Sequence, residues 1–325
     1  MIFLFSPRSD LAIEAAAIFN KSESDIKNIE GIEYKTERRD NYTLTRVKVL
    51  NGKGEEAIGK KIGTYITVEC PKIRENYDEA SEGVSRVLSD ELKKLMNLEK
   101  ISTVLAVGLG NWNVTPDALG PKVVSKLAVT RHLFQYIPDK IPGEIQPLCA
   151  ISPGVLGITG IETGEIVKGI CDKVKPDLII AIDALASRKI ERISTSIQIS
   201  DTGITPGSGI GNKRRGLDME YLGAKVIAIG VPTVVDAATV ANDTIEILCE
   251  NIKKSKDLSK DIGKALEITD NELRYPLIKE VLNPFVGDLI VTPKEVDEII
   301  DDVSKIIANG INMAVHNNTN NLCNA

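Results

Sequence analysis

The segment that most constrains the fold is residues 102–121, STVLAVGLGNWNVTPDALGP. A short apolar run at 104–107 ends in Gly108 and Gly110, and the chain then reaches Asp117 before a helical pattern begins. An apolar run of this length is typical of a buried strand, and the change to a helical pattern after Asp117 marks a helix start. We therefore predict a strand, a loop at its carboxyl end, and the amino end of a helix.

A second apolar run ends in the same way. The sequence DLIIAIDALASR, at 177–188, reaches Asp183 at the end of its apolar stretch. In an open α/β sheet, ligands bind at the loops that follow the carboxyl ends of parallel strands. The two runs could therefore place Asp117 and Asp183 at one crevice.

The rest of the chain continues this alternation of strands and helices. We predict helices at 74–97, 118–134, 161–174 and 233–252, an alternating strand at 192–200 like an edge or hairpin strand, and a β-hairpin at about 42–70. Residues 253–286 are charged without a long pattern and are predicted to form an excursion. The sequence therefore predicts a single α/β domain, residues 11–325, with a mostly parallel central sheet and helices on both faces.

Composition narrows the possible functions. The formal net charge of −6 argues against a general nucleic-acid binder, which would carry a basic excess. Five widely spaced cysteines without a CxxC pair favour free thiols in a reducing compartment. The apolar start MIFLF is too short for a signal peptide, and no run has the length of a membrane span. We expect a cytoplasmic protein that does not bind membranes or nucleic acid directly.

Only two histidines are present, His132 and His316, and they restrict the catalytic chemistry. The H-E-x-x-H motif of metalloproteases is absent, and a Ser-His-Asp arrangement would have to use one of these two residues. A pair of carboxylates needs no histidine, metal or cofactor, since one group activates a water and the other donates a proton. Asp117 and Asp183 are the candidates; alternatively, Asp117 caps its helix and Asp183 binds the amides of its own turn.

A third aspartate, Asp201, is an alternative candidate for the catalytic residue. SDTGI at 200–204 copies the Asp-Thr-Gly signature of pepsin-like proteases and would nominate Asp201. Those enzymes need two such elements on an all-β fold, so a turn opened by Asp201 is the preferred interpretation. The polar loop that follows, with Gly207 and Gly209, could border the site, and its glycine amides with the basic residues at 213–215 could bind an anion.

Four blocks of sequence resemble one known family: NWNVTPDALGP, AIDALASRKIERI, IQISDTGITPGSGIGNKRRGL and VIAIGVPTVVDA. Together they resemble the germination protease of bacterial endospores, an atypical aspartic endopeptidase. The resemblance implies a fold similar to hydrogenase-maturation proteases and catalytic roles for Asp117 and Asp183. It also implies a zymogen whose propeptide, residues 1–10, is removed by the protease itself between Asp10 and Leu11.

The same resemblance implies small acid-soluble spore proteins as substrates, a homotetramer, and a location in the forespore and spore core. Two other classes stay open. A metal-dependent peptidase could use Asp117 and Asp183 as ligands, and a non-catalytic protein could bind an anion at the glycine-rich loop. GLGN at 108–111 is only a fragment of a dinucleotide fingerprint, so NAD binding is disfavoured.

Overall fold

The computed structural model describes residues 10–14, 29–75, 77–97, 102–141, 145–206, 215–254, 271–286 and 289–316. Nine strands of this part of the chain join in one sheet. The strands are β1 (Ile32–Arg38), β2 (Thr43–Val49), β3 (Gly63–Glu69), β4 (Val104–Gly108), β5 (Leu148–Ile151), β6 (Leu178–Ser187), β7 (Ser196–Ser200), β8 (Lys225–Asp236) and β9 (Ile290–Val291).

The sheet has a parallel centre and an antiparallel extension. Its order is β1-β2-β3-β7-β8-β6-β4-β5, and β9 pairs with β8 off this path. The strands β8, β6, β4 and β5 are parallel, whereas β1, β2, β3 and β7 pair antiparallel with their neighbours. The predicted hairpin at 42–70 is confirmed as β2 and β3, and it extends the central sheet.

The helices connect these strands. They are α1 (Gly52–Ile58), α2 (Lys72–Glu75), α3 (Tyr77–Met96), α4 (Leu119–Val124), α5 (Arg131–Tyr136), α6 (Leu156–Thr159), α7 (Thr163–Val174), α8 (Met219–Leu222), α9 (Ala237–Lys254), α10 (Asn271–Val286) and α11 (Val296–Val315). None of the helices in the described ranges combines the length and the apolar composition that crossing a bilayer requires.

Helices cover both faces of the parallel strands, as predicted. On one face, α3, α4 and α11 pack against alternate strand residues such as Ile180 and Ile182. On the other face, α7 and α8 pack against residues of opposite parity, such as Ile179 and Ala181. This arrangement buries both sides of β6, so its sequence is apolar throughout except at Asp183 and its last residue.

Several predicted elements differ from the structure. The helix predicted at 233–252 begins only at Ala237, because residues 233–236 continue β8 and pair with β6 and β9. The helix predicted at 118–134 is two helices, α4 and α5, because Thr130 between them bonds to the sheet. The Thr130 hydroxyl donates to the carbonyl of Gln146 (2.6 Å) and accepts from the amide of Leu148 (2.9 Å). These bonds tie residue 130 to the start of β5, and the chain there leaves the helical path.

The strand predicted as an edge or hairpin strand is β7, which lies between β3 and β8, and all five of its residues are buried. Two of its alternating polar residues, Gln198 and Ser200, line a cavity at the sheet, which accounts for polar side chains in a buried strand. The connection within the predicted hairpin contains the short helix α1. Asn51 caps this helix with its side-chain oxygen, and Gly59 ends it in the left-handed conformation.

In the predicted excursion, α10 packs against α9, whereas residues 255–270 lie outside the described part.

The exit of β4 and the start of α4 meet backbone to backbone. A Cβ atom at Gly120 would overlap the backbone oxygen of Leu109, and a Cβ atom at Gly108 would overlap the carbonyl of Gly120. Each position therefore requires glycine, because the nearest atoms are backbone atoms, which cannot move aside as the end of a flexible side chain can. This contact holds the loop before Asp117 against the sheet.

We expect Gly120→Ala to lower the free energy of unfolding by about 3 kcal/mol, at the upper end of overpacking effects, because the backbone itself must shift. Gly169 in α7 is the matched control, since nothing lies within 4 Å of a Cβ built there. Gly169→Ala should raise stability by up to ~1 kcal/mol through helix propensity. Urea unfolding measures both, and equal effects of the two changes would contradict the close-contact argument.

Candidate active site

Asp117 is held at the carboxyl end of β4 by the loop that precedes it. It is the last residue of a short 3-10 turn, Thr115–Asp117, and its carbonyl accepts a hydrogen bond from the amide of Asn111 (3.0 Å). Gly110 makes this closure possible. It has a φ of +110°, and a Cβ atom there would overlap the carbonyl oxygen of Asp117. The side chain of Asp117 is half-buried.

Asp183 lies within β6, so the prediction that the strand ends at this residue is wrong: β6 stays paired with β8 as far as Ser187. The side chain of Asp183 is 5% exposed, and one carboxylate oxygen accepts a hydrogen bond from the amide of Ala184 (2.9 Å). Its neighbour across the parallel ladder on β8 is Gly230. The carboxylate is therefore largely removed from water.

A single short segment, residues 109–111, joins the supports of the two aspartates. The amide of Leu109 donates to the carbonyl of Ile182 (2.8 Å), the residue before Asp183. Two residues later, the amide of Asn111 donates to the backbone carbonyl of Asp117. The 3-10 turn that contains Asp117 packs against β6 and β8. Two carboxyl groups at one site can divide the work of a general base and a general acid on a water.

Asp201, the third candidate aspartate, binds the backbone of a neighbouring strand. The Asp201 carboxylate accepts a hydrogen bond from the amide of Thr64 (2.7 Å), and its own amide donates to the carbonyl of Thr64 (3.3 Å). These bonds extend the pairing of β3 with β7 by one residue. Gly203 follows with a φ of +80°, and an isolated bridge between Ile204 and Leu217 closes the base of the loop. Gly207 and Gly209 lie outside the described residues.

Asp10 and Leu11 lie against the last part of β6. The amide of Asp10 donates to the carbonyl of Ala186 (3.3 Å), and the Asp10 carboxylate accepts from the amide of Ala186 (3.1 Å). Leu11 is fully buried and packs with Leu185. The bond between Asp10 and Leu11 is thus held in place three residues beyond Asp183 along the same strand.

Two residues that the sequence analysis missed contact this bond. The carbonyl oxygen of Asp10 accepts hydrogen bonds from the Lys60 ammonium (2.8 Å) and from the Gln198 side-chain amide (3.4 Å). The Gln198 side-chain oxygen accepts from the amide of Ala12 (2.6 Å). Burial lowers the pKa of Lys60, and the nearby carboxylates of Asp10 and Glu14 oppose this effect. Lys60 follows Gly59 in a connection that looks like an ordinary turn, so the sequence gives no sign of its contact.

A cavity of about 260 Å³ opens beside this segment. Its wall joins the sheet to the base of the glycine-rich loop and includes Asp10, Lys60, Leu185, Thr202 and Gly230. Because Gly230 is the ladder partner of Asp183, the cavity reaches the strand position next to the buried carboxylate. The loop after Asp201 therefore borders the same region as the N-terminal segment.

A buried carboxylate anchors the residues that follow. Glu14 is 1% exposed, and its oxygens accept from the amides of Arg188 (2.6 Å) and Lys189 (3.0 Å). The Arg192 guanidinium lies 3.2 Å from the same carboxylate. Residues 10–14 therefore run along β6 in the strand's own direction, from Ala186 to Lys189. In the part of the chain that the structure describes, no three His, Cys, Asp or Glu side chains are grouped closely enough to hold a metal ion.

Comparisons with known proteins agree on one family. The germination protease family matches residues 11–273 and 250–324. The germination protease of Clostridium tetani is 52% identical over 310 residues, covering 95% of each chain, and that of Bacillus subtilis is 44% identical, covering 95% of this chain and 93% of the relative. A hydrogenase maturation protease from Thermococcus kodakarensis is similar at 23% identity and a TM-score of 0.29, over 44% of this chain and 80% of that chain.

Asp201 should matter for stability through its bond to Thr64. We expect Asp201→Ala to lower the free energy of unfolding by ~1–2 kcal/mol, because the Thr64 amide loses its partner. Asp201→Asn keeps an oxygen acceptor and should stay within about 0.5 kcal/mol of the parent protein. Urea unfolding of the three proteins measures this, and equal destabilisation by both changes would show that the charge, rather than the hydrogen bond, is what matters.

Proposed function

The chain belongs to the germination protease family, and on this premise we propose that it hydrolyses small acid-soluble spore proteins with Asp117 and Asp183 as its catalytic pair. The family establishes a peptidase of spore germination. The observation that supports the residue assignment is the segment 109–111, whose amides bind the carbonyls of Ile182 and Asp117 and so tie the supports of the two aspartates together.

The chemistry needs one ionised and one protonated carboxyl group. The ionised group removes a proton from a water, which attacks the carbonyl carbon of the peptide bond. The protonated group donates its proton to the carbonyl oxygen, and a proton then passes to the departing amine. Where two carboxyl groups share a site, the repulsion of like charges favours one ionised and one protonated group.

We further propose that the chain is made as a zymogen. Residues 1–10 are the propeptide, residues 11–325 are the peptidase domain, and the protease itself cuts between Asp10 and Leu11. The ordered contacts of Asp10 and Leu11 with β6 support a defined processing site. The protein works as a homotetramer in the forespore and spore core, and it acts on protein substrates without binding nucleic acid or membranes directly.

The intact mass of the purified protein during incubation at mildly acidic pH tests this proposal. We expect the parent protein to lose residues 1–10, and Asp117→Asn and Asp183→Asn to keep their full length, because each variant lacks one member of the pair. Asp201→Asn is the matched control and should be processed like the parent. Retention of full length by the parent, or trimming of all four proteins alike, would contradict self-processing by this pair.

A chelator separates the two peptidase mechanisms. If the carboxylates act on water without a metal, incubation with EDTA should leave the processing rate unchanged. Loss of processing in EDTA and its recovery with an added divalent ion would instead assign Asp117 and Asp183 as metal ligands. A small acid-soluble spore protein incubated with the processed enzyme provides the second substrate for the same comparison.

A further inference from the structure

Asn111 carries a side-chain amide group whose orientation is fixed within the loop that leads to Asp117. Its Oδ1 atom accepts a hydrogen bond from the backbone amide of Asn113 (3.0 Å), and only the oxygen of the side-chain amide can accept, so the other terminal atom is the NH2 group, Nδ2. In the part of the chain that the structure describes, no group accepts a hydrogen bond from Nδ2. The residue is half-buried, yet Nδ2 itself stays accessible to water.

Asp117 folds back onto the two residues that carry this group. A Cβ atom built at Gly110 would lie 3.2 Å from the Oδ1 atom of Asp117, so the carboxylate lies beside the backbone of residue 110. The backbone amide of Asn111 donates to the Asp117 carbonyl (3.0 Å). The unpaired Nδ2 group and the candidate carboxylate therefore belong to the same closed turn at the exit of β4.

Several backbone donors near the two aspartates are already in use. Five backbone amides of the loop bind oxygens of the loop itself or of β6, and they belong to Leu109, Asn111, Asn113, Val114 and Asp117. The amide that follows Asp183, that of Ala184, binds the Asp183 carboxylate (2.9 Å). Backbone and side-chain amides are common donors to the oxyanion that forms when a peptide bond is attacked. These six backbone amides cannot fill that role, whereas Nδ2 of Asn111 can.

We propose that Asn111 is a further catalytic residue, whose Nδ2 group donates a hydrogen bond to the carbonyl oxygen of the peptide bond being cut. The inference rests on the proposed function, in which Asp117 and Asp183 act on that bond. The protonated carboxyl group gives its proton to this oxygen, and the amide group donates a second hydrogen bond to it without losing a proton. Because the oxygen gains negative charge as the water attacks, this hydrogen bond is stronger in the transition state than in the bound substrate.

Asn111→Asp removes the donor and keeps the turn. A carboxylate oxygen can still accept from the amide of Asn113, but no NH2 group remains. The readout is the first-order rate constant with which the full-length protein loses residues 1–10, followed by intact mass. We expect this rate constant to fall by ~100- to 1,000-fold, the usual cost of removing one oxyanion donor. The urea midpoint of unfolding should stay at the parent value, because the hydrogen bonds of the loop are kept.

The negative charge that Asn111→Asp introduces needs a matched control. Asn113→Asp adds the same charge two residues away in the same loop, where the side chain is exposed, and it should keep the parent rate constant. The pH dependence of processing provides a second check. A charge that acts on the carboxyl pair would move the pH of maximal rate upward, since a negative charge favours protonated carboxyl groups nearby. Loss of a donor instead lowers the rate at every pH and leaves the position of the maximum unchanged.

Asn111→Ala removes both the donor and the acceptor of the turn, so it separates catalysis from folding. We expect a rate constant as low as that of Asn111→Asp, together with a lower urea midpoint. A fall in rate for Asn111→Ala alone would show that the turn, rather than the donor, is needed, and it would overturn the proposal. A rate that a higher pH restores in Asn111→Asp would overturn it as well. A parent protein that is not processed, or an Asp117→Asn variant processed at the parent rate, would instead overturn the proposed function and the inference with it.

Discussion

The hydrogen bond from the Leu109 amide to the Ile182 carbonyl is the contact on which the site depends. It joins the residue that follows β4 to the residue that precedes Asp183 in β6. Glycines on both sides make room for it, because Gly108 and Gly120 meet backbone to backbone and Gly110 lies against the carbonyl of Asp117. Asp117 lies in this loop, and the hydrogen bond to β6 restrains shifts of the loop relative to Asp183.

The N-terminal segment depends on the same strand. β6 presents Asp183 and Leu185 on one face, and residues 10–14 bind its last residues and the chain that follows. The proposed processing point is therefore part of the folded core, with Leu11 and Glu14 almost fully buried. This placement connects three properties of the protein. The strand that carries Asp183 also holds Asp10 and Leu11, and the cavity opens beside them.

The sequence was sufficient for the parallel centre of the sheet and insufficient for several contacts around it. Apolar runs in the sequence identified β4 and β6, because strands buried on both faces have few polar residues. The break between α4 and α5 was not predicted, because it depends on hydrogen bonds of the Thr130 side chain to the backbone at the start of β5. The contacts of Lys60 and Gln198 were not predicted for the same reason, since their partners lie 50 and 186 or more residues away in the sequence.

The most direct test of the central claim measures the two aspartates together. A single-bond peptide is cleaved by the processed protein, by Asp117→Asn, by Asp183→Asn and by the double variant, and kcat is compared. If the carboxyl groups act as one pair on one water, each single change should lower kcat by at least ~100-fold. The kcat of the double variant should then be no lower than that of the less active single variant. Losses that multiply in the double variant, or a single variant that keeps the parent rate, would contradict the account.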